Sequence, residues 1–261
     1  MSAKARDWTK GRWSDLPYAA LAKYRPPNAT TLIMAYYKNP EMLRAHYAAL
    51  DALPHKIKQA LEVIIVDDGS PAEQAAFPPT GDLGVPVSVF RHHLVDVRWN
   101  QDACRNLGVE KARTPWVLLT DIDHLLSASA LWRVIYGKCK RDCVYRFGRV
   151  VAPRLHRCAP HVNSWFMARE LFSDAGGYDE RFAGWYGSDR DFTARIKDRS
   201  RVVALRQPLV YVGLHLIGDA STSDCTRLTP EDTAAIERIK AERDAAGDGP
   251  IRQNFPYERV F

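Results

Sequence analysis

From Thr31 onward, short apolar runs alternate with stretches in which apolar residues recur every three or four positions. Thr31-Leu32-Ile33-Met34-Ala35 predicts a strand, and residues 40 to 53 predict a helix with Met42, Leu43, Tyr47 and Leu50 on its apolar side. Residues 61 to 66 predict a second strand, stopped by Asp67-Asp68-Gly69-Ser70, and residues 85 to 90 a third. Residues 101 to 111 follow as a helix with Ala103, Cys104, Leu107 and Val109 available for packing. Trp116-Val117-Leu118-Leu119-Thr120 is a nearly uninterrupted apolar run, as expected of a central parallel strand covered on both faces.

Farther along, residues 127 to 140 predict a helix, 144 to 151 a strand, and 202 to 205 with 209 to 212 two closing strands. The segment from 161 to 195 is expected to carry the second half of a site. Residues 229 to 246 open with Thr-Pro-Glu-Asp, an N-cap followed by Pro at the first helical position, and predict a last helix. This β-α-β alternation predicts an α/β fold with a doubly wound, mostly parallel central sheet flanked by helices. Ligands of such sheets sit beyond the carboxyl ends of the strands. The expected organisation is an N-terminal extension over residues 1–28, ending at Arg25-Pro26-Pro27-Asn28, one domain over 29–220 and a helical tail over 221–261.

Composition narrows the class without naming a function. A hydrophobic share of 46% and a charged share of 26% in 261 residues fit one globular domain and exclude a fibrous or disordered chain. The net charge of +6 makes the surface attractive to anions such as nucleotides and nucleic acids. No apolar run approaches the roughly 20 residues of a membrane span, and no secretory leader pattern stands at the start; a cytoplasmic setting is expected. Five cysteines, Cys104, Cys139, Cys143, Cys158 and Cys225, show no compact disulfide spacing and predict free thiols. Cys139, Cys143, His156, Cys158 and His161 are of zinc-ligand type, but their spacing matches no common finger and ordinary residues of a helix-to-strand passage explain them.

Two predicted strand ends carry paired acids, Asp67-Asp68 and Asp121-Ile122-Asp123. Carboxylates one residue apart at a strand end reach the same sheet edge, where a hard divalent cation bridging phosphate oxygens needs oxygen ligands. Acids also favour the turns that follow strands, so neither pair is decisive alone.

The order of the motifs adds more. Ala35-Tyr36-Tyr37-Lys38 leads into Asn39-Pro40-Glu41-Met42-Leu43, Val66 to Ser70 reads Val-Asp-Asp-Gly-Ser, and Cys104-Arg105-Asn106-Leu107-Gly108 precedes the Asp121-Ile122-Asp123 strand end. Gly176-Gly177-Tyr178-Asp179-Glu180-Arg181-Phe182 and Gly184-Trp185-Tyr186-Gly187-Ser188-Asp189-Arg190-Asp191-Phe192 follow. Together these resemble family 2 glycosyltransferases with the GT-A fold, and their galactosyltransferase-like and polypeptide N-acetylgalactosaminyltransferase-like relatives, over about residues 30 to 215.

The resemblance implies a metal-dependent transfer of sugar from a nucleotide-diphosphate donor, with uridine as the expected nucleoside. It implies that Asp67 or Asp68 accepts from the uracil N–H and that Ala35, Tyr36 and Tyr37 line the base. Arg98 and Arg105 would lie by the donor, Asp121 and Ile122 at its ribose and diphosphate, and Mn²⁺ or Mg²⁺ on Asp121, Asp123 and His215. Asp189 would be the base of an inverting displacement, with Trp185 and Ser188 on the acceptor side. Lys38 stands where the family has Asn, which ties the nucleotide preference less firmly than the metal site, and Ser188 where it has Glu, so acceptor type does not carry over. The acceptor stays open between a saccharide, a protein and DNA or RNA bearing a modified base, as does the oligomeric state. Two competing classes are a sugar-phosphate nucleotidyltransferase, whose glycine-rich basic opening loop is missing here, and a noncatalytic binding module of the same fold.

Overall fold

The computed structural model describes residues 26–93, 97, 100–221 and 229–261. In chain order its first half contains β1 (Thr30–Tyr36), α1 (Pro40–Asp51), the short α2 (His55–Lys58), β2 (Leu61–Asp67), β3 (Val87–His92), α3 (Gln101–Lys111) and β4 (Trp116–Asp121). The second half adds β5 (His124–Leu126), α4 (Ala128–Tyr136), β6 (Cys143–Val151), β7 (His156–Cys158), β8 (Trp165–Ala168), α5 (Arg169–Asp174), α6 (Asp189–Arg199), β9 (Arg201–Tyr211), α7 (Pro230–Ala246) and β10 (Tyr257–Arg259).

The strands form one sheet in the order β10-β3-β2-β1-β4-β8-β6-β9-β5, with β7 added to β6. Its centre, β3-β2-β1-β4, is parallel throughout, as the apolar runs predict. Every residue of β1 and β2 is buried, because helices cover both faces of a parallel sheet. The parallel pair β6 and β9 forms the other half, joined to the centre through antiparallel β8.

Register decides what meets at the sheet edge. Ala35 of β1 pairs with both Val66 and Asp121, and Tyr36 pairs with Asp67, so the two acidic strand ends lie on either side of the end of β1. Helix α3 packs on β1 and β2 closely enough that a Cβ on Gly108 would stand 2.3 Å from Ile33 Cγ2. That contact draws in the helix whose first turns face the acidic edge.

Two expectations are revised in detail. The two closing strands are one, β9, whose register against β6 shifts at Phe147/Gly148 while the chain passes Arg206, Gln207 and Pro208. The C-terminal segment is also more than a helix. Helix α7 starts with a reciprocal Thr229–Asp232 capping box, and β10 then pairs with β3 as an edge strand.

The tail is bonded to the rest by buried charge. Arg243 of α7 donates to Asp191 at 2.8 Å and to Asp179 at 3.4 Å, and Arg252 pairs with Glu180 at 2.6 Å. No helix among the described residues is long and apolar enough to cross a membrane.

Candidate active site

A cleft of about 200 Å³ opens at the carboxyl ends of β1 and β4. Its walls include Tyr37 and Asn39 after β1, Gln101 and Arg105 of α3, Asp121-Ile122-Asp123, His161 to Asn163, and Tyr186 to Asp189. Chain segments far apart in sequence therefore converge on one edge of the sheet.

Asp121 is the most strongly held of these groups. Arg105 donates to its Oδ1 at 2.7 Å, Asn163 Nδ2 donates to Oδ2 at 3.4 Å, and His161 Nε2 lies 3.5 Å from Oδ2. Burial opposes its ionisation, but the Arg105 guanidinium, His161 and His124 outweigh burial and hold the carboxyl well below the usual range. Arg105 is itself buried, receives support from Gln101 Oε1 at 2.7 Å and lies over the Tyr178 ring at 5.1 Å.

Asp123 accepts from His124 Nδ1 at 2.6 Å, and the His124 ring lies 4.3 Å from that of His161. Between the two acids, the Ile122 carbonyl accepts from His46 Nε2 at 2.6 Å, which fixes the turn to α1. Burial pushes His46 and His161 down to about 4, so both are neutral imidazoles at neutral pH.

The opposite wall is the start of α6. Ser188 and Asp189 line the cleft, and burial raises the Asp189 carboxyl, opposed by Arg105 and reinforced by Asp121. Asp102, one turn before Arg105 on α3, is buried and pushed up to about 6, chiefly by desolvation against the pull of Arg105.

Asn106 ties α3 to the Gly176-Gly177-Tyr178 turn. Its Nδ2 donates to the Tyr178 carbonyl and to Glu180 Oε1, both at 2.8 Å, and its Oδ1 accepts from Tyr178 N at 2.8 Å. Two motifs that are 72 residues apart in sequence thus form one latch beneath the cleft.

The other expected residues fall at varied distances from this centre. Both oxygens of Asp67 accept backbone N–H bonds, from Ser70 at 2.8 Å and Ala76 at 2.7 Å, so Asp67 shapes the turn. Asp68 accepts from Asn100 N through Oδ2 at 2.9 Å, its buried Oδ1 has no partner among the described residues, and burial pushes its carboxyl up to about 7. Ala35 is buried at the end of β1, and the Tyr36 hydroxyl donates to the Gln74 carbonyl at 2.7 Å; of the three, Tyr37 lines the cleft.

Trp185 lies outside the cleft lining and packs against Phe182, Ile236 and Ile239 under α7, while its neighbour Tyr186 lines the cleft. His215 is exposed in the turn after β9 and is not among the cleft residues, where the imidazole is that of His161. Arg98 lies outside the described residues.

His161, Asn163, Gln101 and Tyr186 are among the cleft residues to which motif reading gave no role. Only the position of His161 and Asn163 within the expected second half, and of Tyr186 beside Trp185, pointed toward them. The residues weighed for zinc are spread among separate elements: Cys139 follows α4, Cys143 opens β6, His156 and Cys158 lie on β7, and His161 faces the cleft.

The donor set fits a hard divalent ion in part. Such an ion takes one or two carboxylates and completes its shell with substrate phosphate oxygens and water. Asp121 and Asp123 would supply the carboxylates, and His161 a nitrogen suited to Mn²⁺. Among the described residues no three His, Cys, Asp or Glu side chains stand together as a complete ligand set. Phosphate oxygens of a donor would therefore have to supply the remainder.

Comparison with solved structures shows the same arrangement of elements. Over 82% of this chain it superposes on S. aureus TarS 1-349 in complex with UDP-GlcNAc, with a TM-score of 0.58 and 16% identity, covering 65% of that chain. The fold is GT-A. The GT-A match extends to full S. aureus TarS, at TM-score 0.57 and 15% identity over 82% of this chain. GalNAc-T7, solved with UDP, GalNAc and Mn²⁺, matches 85% of this chain at TM-score 0.56 and 13% identity and is covered over 50% of its length. The chain spans 39% of the length of TarS. No family model and no curated protein matches the sequence. These superpositions show the GT-A fold.

Proposed function

We propose that this protein is a metal-dependent glycosyltransferase that moves a sugar from a uridine-diphosphate donor to an acceptor hydroxyl with inversion. The observation that carries this reading is the convergence of Asp121, Asp123 and Asp189 on one cleft at the carboxyl end of a GT-A sheet. The structural neighbours TarS and GalNAc-T7 were solved with UDP-GlcNAc and with UDP, GalNAc and Mn²⁺, which supports a donor of the same kind.

In this reading Tyr37 and Oδ1 of Asp68 contact the base, and Asp121 and Asp123 hold Mn²⁺ or Mg²⁺ against the diphosphate. The bound metal would neutralise charge that grows on the leaving diphosphate. Arg105 keeps Asp121 ionised and fixed in direction, so the carboxylate meets its ligand already charged.

Asp189 takes the proton of the acceptor hydroxyl as that oxygen attacks the anomeric carbon. The bond from that carbon to the diphosphate oxygen breaks, and its electron pair leaves with the diphosphate. A partly buried carboxyl with a raised affinity for protons suits a base working on a hydroxyl. Free thiols at Cys104, Cys139, Cys143 and Cys158 support a reducing, cytoplasmic setting.

The test is hydrolysis of a nucleotide-sugar panel with and without Mn²⁺, comparing the wild type with Asp123→Ala and Asp189→Asn. Metal-stimulated turnover of a uridine donor that Asp123→Ala abolishes is the expected result. A chain that neither binds nor turns over any donor, or an Asp123→Ala variant with intact metal stimulation, overturns the reading.

A further inference from the structure

Asp102 is a buried acid that the proposed transfer does not use. It stands in the first turn of α3, where the positive end of a helix favours a carboxylate, but such acids ordinarily face water and Asp102 is 3% exposed. Its Oδ1 has no hydrogen-bond partner among the described residues and lies 3.6 Å from Arg105 Nη1. Arg105 does not depend on that contact, because Gln101 Oε1 and Asp121 Oδ1 each hold its guanidinium at 2.7 Å. Burial disfavours the charge of Asp102, and Asp189 and Asp191 oppose it further. A carboxylate kept in such a place weakens the fold at neutral pH, so its use has to be sought elsewhere.

Ser188 supplies that use. It stands at the N-cap of α6, yet its hydroxyl makes no capping bond, although serine is among the residues best suited to that role. The hydroxyl is instead hydrogen-bonded to the Asp102 carboxyl. Ser188 is buried and lines the cleft directly before Asp189. Neighbouring parts of this wall are secured separately: Arg195 and Arg243 hold Asp191 at 2.9 and 2.8 Å, and Tyr186 N donates to Asp232 Oδ1 at 3.1 Å. The bond between Asp102 and Ser188 joins α3, which carries the Arg105 partner of Asp121, to the residue on which Asp189 is mounted.

We propose that Asp102 is a positioning residue for the base: it accepts the Ser188 hydroxyl and so fixes the first turn of α6, keeping the Asp189 carboxylate aimed at the acceptor oxygen. The inference rests on the transferase reading and adds a residue to it. A charged acceptor makes a stronger bond to a hydroxyl than a neutral one does. Misplacing a reacting group by about 1 Å costs on the order of 100-fold in rate. A contact that adds nothing to stability is therefore worth keeping for its effect on Asp189.

The test uses the full chain with Mn²⁺ and the uridine-diphosphate sugar that the wild type hydrolyses fastest, water serving as the acceptor. It compares Asp102→Ala, Asp102→Asn, Ser188→Ala and the Asp102→Ala, Ser188→Ala double variant. Asp102→Ala and Ser188→Ala are each expected to lower kcat about tenfold or more while the Kd for UDP stays within about twofold. The double variant should be no slower than the slower single one, because both remove the same bond. Asp102→Asn keeps an acceptor for Ser188 and should recover most of the loss. The folded-state value of Asp102, about 6, lies above the unfolded value of about 4, so its contribution to stability is lost as pH rises through about 6. At about pH 7.5 the thermal transition of Asp102→Ala should therefore not fall below that of the wild type.

Wild-type kcat in Asp102→Ala overturns the inference. So do additive losses in the double variant, an Asp102→Asn enzyme as slow as Asp102→Ala, or a kcat loss that comes with a lowered transition or weakened UDP binding, which would make Asp102 a structural support of α3. In each of these cases donor turnover by the wild type leaves the transferase reading standing. A wild type that turns over no donor fails that reading, and the role of Asp102 falls with it.

Discussion

At the scale of single residues, the cleft is a set of charges whose states are set by their neighbours. Asp189 has to be ionised to act as a base, and burial raises its proton affinity. The acid limb of kcat/KM for transfer should therefore lie above the ordinary carboxylate value of about 4, with activity lost as pH falls through the raised value. Asp189→Asn should remove that limb along with about 100-fold or more of the rate, measured by initial velocities from pH 4 to 8.

Asp68 provides a second case, read through stability. Its carboxyl is pushed up to about 7 by burial, so its folded-state pKa lies above the unfolded one. The neutral form favours folding below the unfolded pKa, and that contribution is lost as pH rises through about 7. Asp68→Asn keeps an acceptor for Asn100 N and cannot ionise. It should match the wild type near pH 4 and gain on it by about 1–3 kcal/mol at pH 8, read from urea unfolding at the two pH values. Equal differences at both pH values would contradict the assignment.

At the scale of elements, the parallel centre was legible because β1, β2 and β4 are apolar on both faces and leave little else for those residues to form. The acidic strand ends were legible for the same reason, since each terminates such a run. Other elements carried weaker signals. Pro208 and Gln207 break the apolar pattern of β9 and suggested two strands, while pairing with β6 carries the strand across the interruption. β10 is three exposed residues, Tyr257-Glu258-Arg259, with no alternation to read, and it exists because the edge of β3 accepts it.

The cleft shows the same division. Asp121 ends β4, Asp123 immediately precedes β5 and Asp189 begins α6, whereas His161 and Asn163 come from a connection whose path only tertiary pairing decides. Trp185, expected on the acceptor side, packs against Ile236 and Ile239 of α7.

The latch between α3 and the turn before α6 yields an element-scale prediction. Gly177 has a φ of 65°, and a Cβ there would stand 2.6 Å from Asn106 Oδ1, the atom that accepts from Tyr178 N. Gly177→Ala should cost about 1–3 kcal/mol through left-handed strain and the displaced amide. Urea unfolding with tyrosine and tryptophan fluorescence measures it, and a loss below about 0.5 kcal/mol would show that the latch yields freely.

At the scale of the whole molecule, the C-terminal segment completes the domain's charge balance. Asp179, Glu180 and Asp191 are buried and share Arg243 and Arg252 as partners. Removing residues 229–261 would take Arg243 from Asp179 and Asp191 and Arg252 from Glu180, leaving Asp179 with Arg181, Asp191 with Arg195 and Glu180 with Asn106 alone, and would uncover the β3 edge. Each broken buried pair costs about 3–5 kcal/mol, against a total stability of about 5–15 kcal/mol for a domain. The truncated chain should fail to give a cooperative thermal transition, and a sharp transition near that of the full chain would refute this.

The single strand β8 has a wider consequence. The hydrogen-bonded path across the sheet passes through its four residues, which pair with β4 at four positions and with β6 at one, Tyr145 to Phe166. On one side lie the β1, β2 and β4 ends that present Ala35, Asp67 and Asp121; on the other lie β6, β7 and β9. A seam this narrow lets insertions and charge changes accumulate on one side while the strand ends of the other keep their alignment. On the proposed transfer reading, the half that meets the acceptor can change without rebuilding the half that holds the donor.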